Sequence, residues 1–315
     1  NEFLVVANNK DQKGFIKIGN ERVIEARLSD AEFFWNKDKS QNLVKKISEL
    51  KLMNFFKGLG TYFDKVQRMR KLGALISDEL LISKEKVELS ASICKTDLMS
   101  ESVGEFPELQ GVMGGYLSQA QGFDKDIVDA IKEQYLPIGL DSAIPKKPYN
   151  ITLSITDKID TLVGFFGVNE KPSSSKDPYA LRRTALGIIR IIIENKRDLK
   201  ISDLISYSSN IYLDQGFNFS NNTLHKDILN FLKDRFKYYL KEKNIRHDII
   251  EATSNVFNLN TISTVFEKAK SLNKVINKTT GEDIVSSYKR ASNILHSEVK
   301  DVIKDLTNST DPGIF

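Results

Sequence analysis

A chain of 315 residues, 40% hydrophobic and 28% charged, has the length for two ordinary cores and the composition of a globular protein. Its net charge of +4 excludes a uniformly basic tail, so any polyanion site must come from local clustering of its 46 Lys and Arg. The single Cys94 excludes an internal disulfide and a multi-Cys zinc site, and no apolar run reaches the roughly 20 residues that span a bilayer.

The lone cysteine fits a reducing cytoplasm, and the N-terminal stretch lacks a signal-peptide pattern. The chain opens NEFLVVANN, without an initiator Met, and reads as a piece of a longer protein. Residues 3–8, FLVVAN, are short, apolar and β-branched, and predict a strand closed by a turn at Asn8, Asn9 and Asp11. The expected first unit is therefore residues 1–28, the end of an upstream β-containing domain. Residues 19–27, GNERVIEAR, carry Arg22 and Arg27 beside an expected turn. Ser29 and Glu32 form an S-x-x-E capping box, which predicts a helix from about Asp30.

Helical patterns run at about 40–51, 54–81 and 84–99. Gly58 and Gly60 flank Leu59 and should break the second, so that its stronger part begins near Tyr62. Residues 84–99 have apolar side chains on two sides, the mark of a mostly buried helix. Asp97 falls on an apolar side and needs a partner or a shifted pKa. Pro107 marks a further helix start, and Gly111, Gly114 and Gly115 allow close packing. Asp124 caps a short helix over 124–135, and Pro137, Pro145 and Pro148 predict an extended crossing at 137–149. Residues 151–166 return to helix. Ile155, Ile159, Leu162 and Phe166 share one face, and Asp157 and Asp160 project together from roughly the opposite one.

The stretch PSSSKDPYALRRTALGIIRIIIENKR, 172–197, joins a Ser/Lys loop to a helix expected from about Pro178, with Asp177 as its cap. Leu181, Ala185, Ile188 and Ile192 make its apolar face. Arg183, Arg190 and Arg197, seven apart, lie on roughly the other. A solvated basic face is the plain interpretation; a phosphate-rich partner is the functional one, and the loop and cap before the helix suit it. Beyond 199 the chain turns Asn-, Lys- and Ser-rich, with helices expected at about 202–213, 223–243, 246–257, 261–275 and 281–306. Residues 200–315 thus predict a helical bundle or linker domain after a helical domain at 29–199. Basic and aromatic residues alternate along 223–243, which suits RNA or, equally, a snorkelling amphipathic helix.

No P-loop, GxSxG, HExxH or Rossmann glycine pattern is present. His225, His247 and His296 all lie in the second half, and His247–Asp248 reads as a chance pair at a helix start. In the first half the segments 62–81, 93–98 and 156–161 resemble, in order and spacing, the three metal-holding stations of HD phosphohydrolases. Lys65 stands about where the first His belongs, and Thr96 precedes Asp97 where the second His belongs. Asp97, Asp157 and Asp160 would be the remaining ligands, which makes divalent-metal hydrolysis a poor expectation. No metal and no catalytic residue are therefore expected here. Instead Lys65 or Lys158 should pair with Asp97, a cation standing in for the metal.

Longer runs carry a second resemblance. EARLSDAEFFW (25–35), LGTYFDKVQR (59–68), KTDLMSESVGEFPELQGVMGGY (95–116), TDKIDTLVGFFGV (156–168), KDPYALRRTALGIIRIIIE (176–194) and KRASNIL (289–295) resemble the beta subunit of the bacterial two-subunit glycyl-tRNA synthetase. This resemblance implies a mainly α fold: a degenerate HD-like helical domain followed by a helical bundle, with a short β remnant at the N-terminus. It implies a ligase that joins glycine to its tRNA, with ATP and Mg used by the whole enzyme through the alpha subunit. No cofactor is expected in this segment. The implied partners are glycine tRNA and the alpha subunit, with no membrane, in the cytoplasm. Arg27, Lys176, Arg182, Arg183 and Arg190 are the candidates for tRNA phosphate contacts. Some of them can instead bind carboxylates within the fold, with Glu105 and Glu108 as plausible partners. The competing expectations are an active HD-type phosphohydrolase and a purely structural helical spacer.

Overall fold

The computed structural model describes residues 2–277 except 174, and residues 281, 283, 286–288 and 290–294. Helices dominate. In chain order they are α1 (Phe15–Lys39), α2 (Leu43–Lys46), α3 (Tyr62–Leu80), α4 (Lys84–Ile93), α5 (Glu101–Glu105), α6 (Val112–Ala120), α7 (Lys125–Glu133), α8 (Pro148–Gly167), α9 (Leu181–Asn195), α10 (Ile201–Asp214), α11 (Leu224–Glu242), α12 (His247–Asn255) and α13 (Ile262–Ile276). The described residues between 281 and 294 are helical too; the predicted helix from there to 306 otherwise lies outside the described residues.

The strand expected at 3–8 is not formed. Residues 2–7 have no regular structure and, among the described residues, no neighbouring strand to share a ladder with, and Leu4 and Val6 are exposed. The β structure sits instead at β1 (Asn54–Phe56) and β2 (Gly60–Thr61), an antiparallel pair. Gly58 and Gly60, at φ +84° and +78°, make the turn between them. As expected, they end one element and release α3 at Tyr62, where Thr61 and Asp64 form a capping box.

Helix α1 runs through the positions where a turn and a fresh start near Asp30 were expected. The Asp11 carboxylate accepts from the backbone N–H of Ile16 and Lys17, so the first-turn donors are satisfied upstream and Ser29 is not needed as a cap. Near its other end, buried Asp38 accepts from Glu101 N, Ser102 N and Ser102 Oγ, which fastens α1 to the start of α5. Asp124 caps α7 as expected, accepting from Asp126 N at 2.9 Å. Helix α9 starts three residues later than predicted, because Ala180 adopts a left-handed φ of +53°. Asp177 still caps it, accepting from Leu181 N and Arg182 N.

α8 is the central rod. All of its residues but Pro148, Tyr149 and Thr161 are buried, and it packs against α3, α7, α9, α10 and α11. The expected apolar face of α9, Leu181, Ala185, Ile188 and Ile192, is buried against it. One cluster of buried aliphatic and aromatic residues then continues from Leu59 through α8 and α9 to Ala269, passing residue 199 without a gap. A smaller cluster joins Met69, Ala91, Ile93, Ile127, Ile131 and Leu153 around α4 and α7.

Candidate functional site

Helices α3, α4 and α8 bring the three stations together at one polar seam. Lys65, one turn into α3, donates to Asp160 Oδ2 at 3.0 Å and to Thr161 Oγ1 at 3.0 Å, and lies 3.2 Å from Asp157 Oδ1. Arg68, one turn further along the same face, donates through Nε to Asp160 Oδ1 at 2.6 Å. Its Nη1 reaches Leu59 O and Gln215 Oε1, and its plane lies 3.8 Å from the centre of the Tyr212 ring. Lys95, just beyond α4, places Nζ 3.0 Å from Asp157 Oδ1 and 4.0 Å from the centre of the Tyr135 ring. Two cations spaced three residues apart on α3 thus meet two carboxylates spaced three apart on α8.

Burial sets the electrostatics. It would raise the Asp160 carboxyl, but Arg68 and Lys65 outweigh it and hold Asp160 below its usual range. For Asp157 burial again works upward and loses to Lys65, Lys95 and Lys158. Burial works against the charge of Lys95 and Arg68, yet Asp157 and Asp160 respectively keep both ammonium and guanidinium more basic than usual. Lys158 is the exception: burial lowers its ammonium to about 7, with Lys95 and Lys65 pushing the same way. Its Nζ is held by Leu136 O at 2.7 Å and Ser154 Oγ at 2.8 Å.

Asp97 is placed differently from expectation. It pairs with neither Lys65 nor Lys158; its Oδ2 accepts from the backbone N–H of Gly111 at 2.6 Å and Gly114 at 3.1 Å. Gly111 has φ +81°, and a Cβ on Gly114 would stand 3.0 Å from that same oxygen, so glycine is what lets this backbone wrap a carboxylate. Burial still leaves the Asp97 carboxyl raised. Thr96 turns its hydroxyl onto Ile93 O, away from the carboxylates.

The donor set does not fit a divalent ion. Asp157 and Asp160 already hold lysine and arginine side chains at contact distance. Among the described residues no imidazole reaches them, and no three His, Cys, Asp or Glu side chains converge as a metal cradle. The chemistry available is charge neutralisation and hydrogen bonding, on a framework buried at its centre.

Above the seam opens a cleft of about 480 Å³, with Asp157, Lys158, Thr161 and Tyr135 on one side and Tyr179, Arg183 and Thr184 on the other. The predicted basic residues divide around it. Arg183 is exposed and has no side-chain partner among the described residues, and Lys176, on the loop before α9, is exposed too. Arg182 donates to Lys176 O and Ser173 O, tying the lead-in loop to α9. Arg190 departs from the expected exposed row: it is buried, paired with Glu194 at 2.7 Å and bonded to Gly139 O and Ser142 O. The loop at 139–142 folds over it, so its carboxylate partner is on its own helix rather than Glu105 or Glu108. Arg197 lies past the end of α9. Arg27 is exposed on α1. Sequence reading missed Arg68 and Lys95; the matching three-residue spacings on α3 and α8 are the signal that could have found Arg68.

Fold and site define a mainly helical protein with a cation-filled polar seam and a basic helix end beside a cleft. The chain belongs to the glycyl-tRNA synthetase beta subunit family, whose model matches residues 1–255. It is similar to the glycine--tRNA ligase beta subunits of Rhodospirillum centenum (37% identical, 99% of this chain and 43% of that protein) and Rickettsia canadensis (40%, 99% and 44%). That of Phenylobacterium zucineum is 38% identical over 95% of this chain and 42% of that protein. The chain spans less than half the length of these curated relatives. No described helix is long and apolar enough to cross a membrane.

Proposed function

We propose that this chain is the part of a glycine–tRNA ligase beta subunit that contacts tRNA and positions it for ATP-dependent charging with glycine. In this reading ATP and Mg act through the alpha subunit, the partner protein, in the cytoplasm, and no catalytic group resides here. The observation that carries the proposal is a basic pair, Arg183 in the first turn of α9 and Lys176 on the loop before it, whose side chains have no partner among the described residues. Arg183 and Lys176 are exposed, and the Arg182 bonds to Ser173 O and Lys176 O hold their loop in place. Guanidinium and ammonium groups left unpaired on an ordered surface are the usual phosphate contacts of RNA-binding proteins. Arg27 adds a further exposed cation on α1, whereas Arg190 is committed to Glu194 and serves the fold. The paired carboxylates of the seam support the view that a former HD-type metal site has become structural.

The test is binding of glycine tRNA across a salt series. The Lys176→Glu, Arg183→Glu double variant should lose at least about tenfold in affinity and flatten the salt dependence by about two contacts. Unchanged affinity and slope would remove this helix end from the interface.

A further inference from the structure

We propose that the cleft between α8 and the start of α9 binds a single nucleotide, with its phosphate on Arg183 and its hydroxyl or amino donors on Asp157. The cleft is graded. At its rim Arg183 is exposed and has no side-chain partner among the described residues. At its floor Asp157 is 8% exposed and uses Oδ1 for both Lys65 and Lys95, while Oδ2 makes no hydrogen bond among the described residues. Oδ2 is thus a carboxylate oxygen left open on the cleft lining to accept a donor, and a ribose diol or a base amine supplies one. Between rim and floor stand two aromatic walls. Tyr179 is backed by Phe165 at 4.4 Å in a stacked pair, and Tyr135 by the Lys95 ammonium at 4.0 Å. Rings braced from behind offer a flat apolar surface at little entropic cost.

The charge balance selects for an anion. Lys65 and Lys95 already neutralise Asp157 from behind and Arg68 pairs with Asp160, so Arg183 is the exposed cation of the lining left without a counter-charge among the described residues. A volume of about 480 Å³ admits a nucleoside monophosphate, and lies in the range of small-molecule sites. A bare phosphate would leave the tyrosine walls and Asp157 unused; a nucleoside would leave Arg183 unused.

This inference does not rest on the tRNA reading. Arg183 serves both, but Lys176 lies outside the cleft lining and serves only the surface contact. Calorimetric titration of the full chain with AMP, GMP, CMP and UMP, with adenosine and inorganic phosphate as comparisons, tests it. At least one monophosphate should saturate, with adenosine and phosphate each weaker by about tenfold or more. Arg183→Ala should cost about tenfold, the loss of one charged contact worth about 1.4 kcal/mol. Thr184→Val, on the cleft wall, should also weaken binding, while Lys176→Glu should not. The same chemistry occurs at an RNA strand end, so a trinucleotide is titrated alongside. Tighter binding than the monophosphate assigns the site to a strand end, weaker binding to free nucleotides, and both sustain it. Absence of saturation in the millimolar range, phosphate binding as tightly as the nucleotides (an adventitious ion only), or an unmoved affinity in Arg183→Ala would overturn it.

Discussion

The seam between α3, α4 and α8 and the core that runs from α9 to α13 are both fully buried, yet they are made of opposite materials. The first holds lysines, an arginine and carboxylates at contact distance. The second holds Leu204, Ile211, Ile228, Leu232, Phe236, Ile249 and Ile262, each with almost no exposed surface. Aliphatic burial is non-directional, so such a core tolerates changes of shape that keep its volume. Buried ions gain only if every partner is in place, because desolvation costs about as much as their attraction returns. The seam therefore fixes position more than it adds stability, and the two regions should respond differently to the same kind of substitution.

Removing Asp160 should be the most damaging change, since it strands Arg68 without a counter-charge and leaves Lys65 only Asp157, which Lys95 shares. We expect Asp160→Ala to cost about 3–5 kcal/mol by urea denaturation, and a Lys65→Met, Arg68→Met, Asp160→Leu triple variant to recover most of it. If the triple variant is no better than the single, the seam is a source of net stability and the comparison fails. In the apolar region, Leu232→Ala should cost about 3 kcal/mol and Leu232→Met under about 1.5 kcal/mol. A comparable penalty for both would show that this core is as exacting as the seam.

Asp97 sharpens the comparison from within the seam, because its partners are backbone N–H groups. Asp97→Ala leaves the Gly111 and Gly114 donors unmet and should cost about 2 kcal/mol, while Asp97→Asn, which keeps an acceptor, should cost less. Lys158 should give a milder, pH-dependent effect, because Leu136 O and Ser154 Oγ offset part of its burial. Burial lowers its pKa from 10.5 to about 7. Between those values the unfolded chain binds a proton that the folded chain does not, so stability rises with pH across that window. A Lys158→Met variant should lose that slope. A slope that persists would assign it to another group.

Much of this was legible in the residues, and the misses have physical causes. Periodicity placed α7 to α13 to within a few residues, because their apolar faces recur every three or four positions. The strand at 3–8 failed because a β-propensity run without a neighbouring strand has no ladder to join. Lys65, Asp157 and Asp160 were found as stations, since their order and spacing survive in one dimension. The partner of Asp97 was not, because backbone N–H groups carry no side-chain letter. Arg190 was placed on an exposed row by its seven-residue spacing. Only the fold of the 139–142 loop, two carbonyls and Glu194 bury it.

The central claim is that protein cations, not a metal ion, neutralise Asp157 and Asp160. Calorimetric titration of the chain with manganese or zinc tests it most directly. The account predicts no saturable binding and no change in Asp157→Asn. Stoichiometric binding that Asp157→Asn abolishes, accompanied by phosphatase activity, would contradict it.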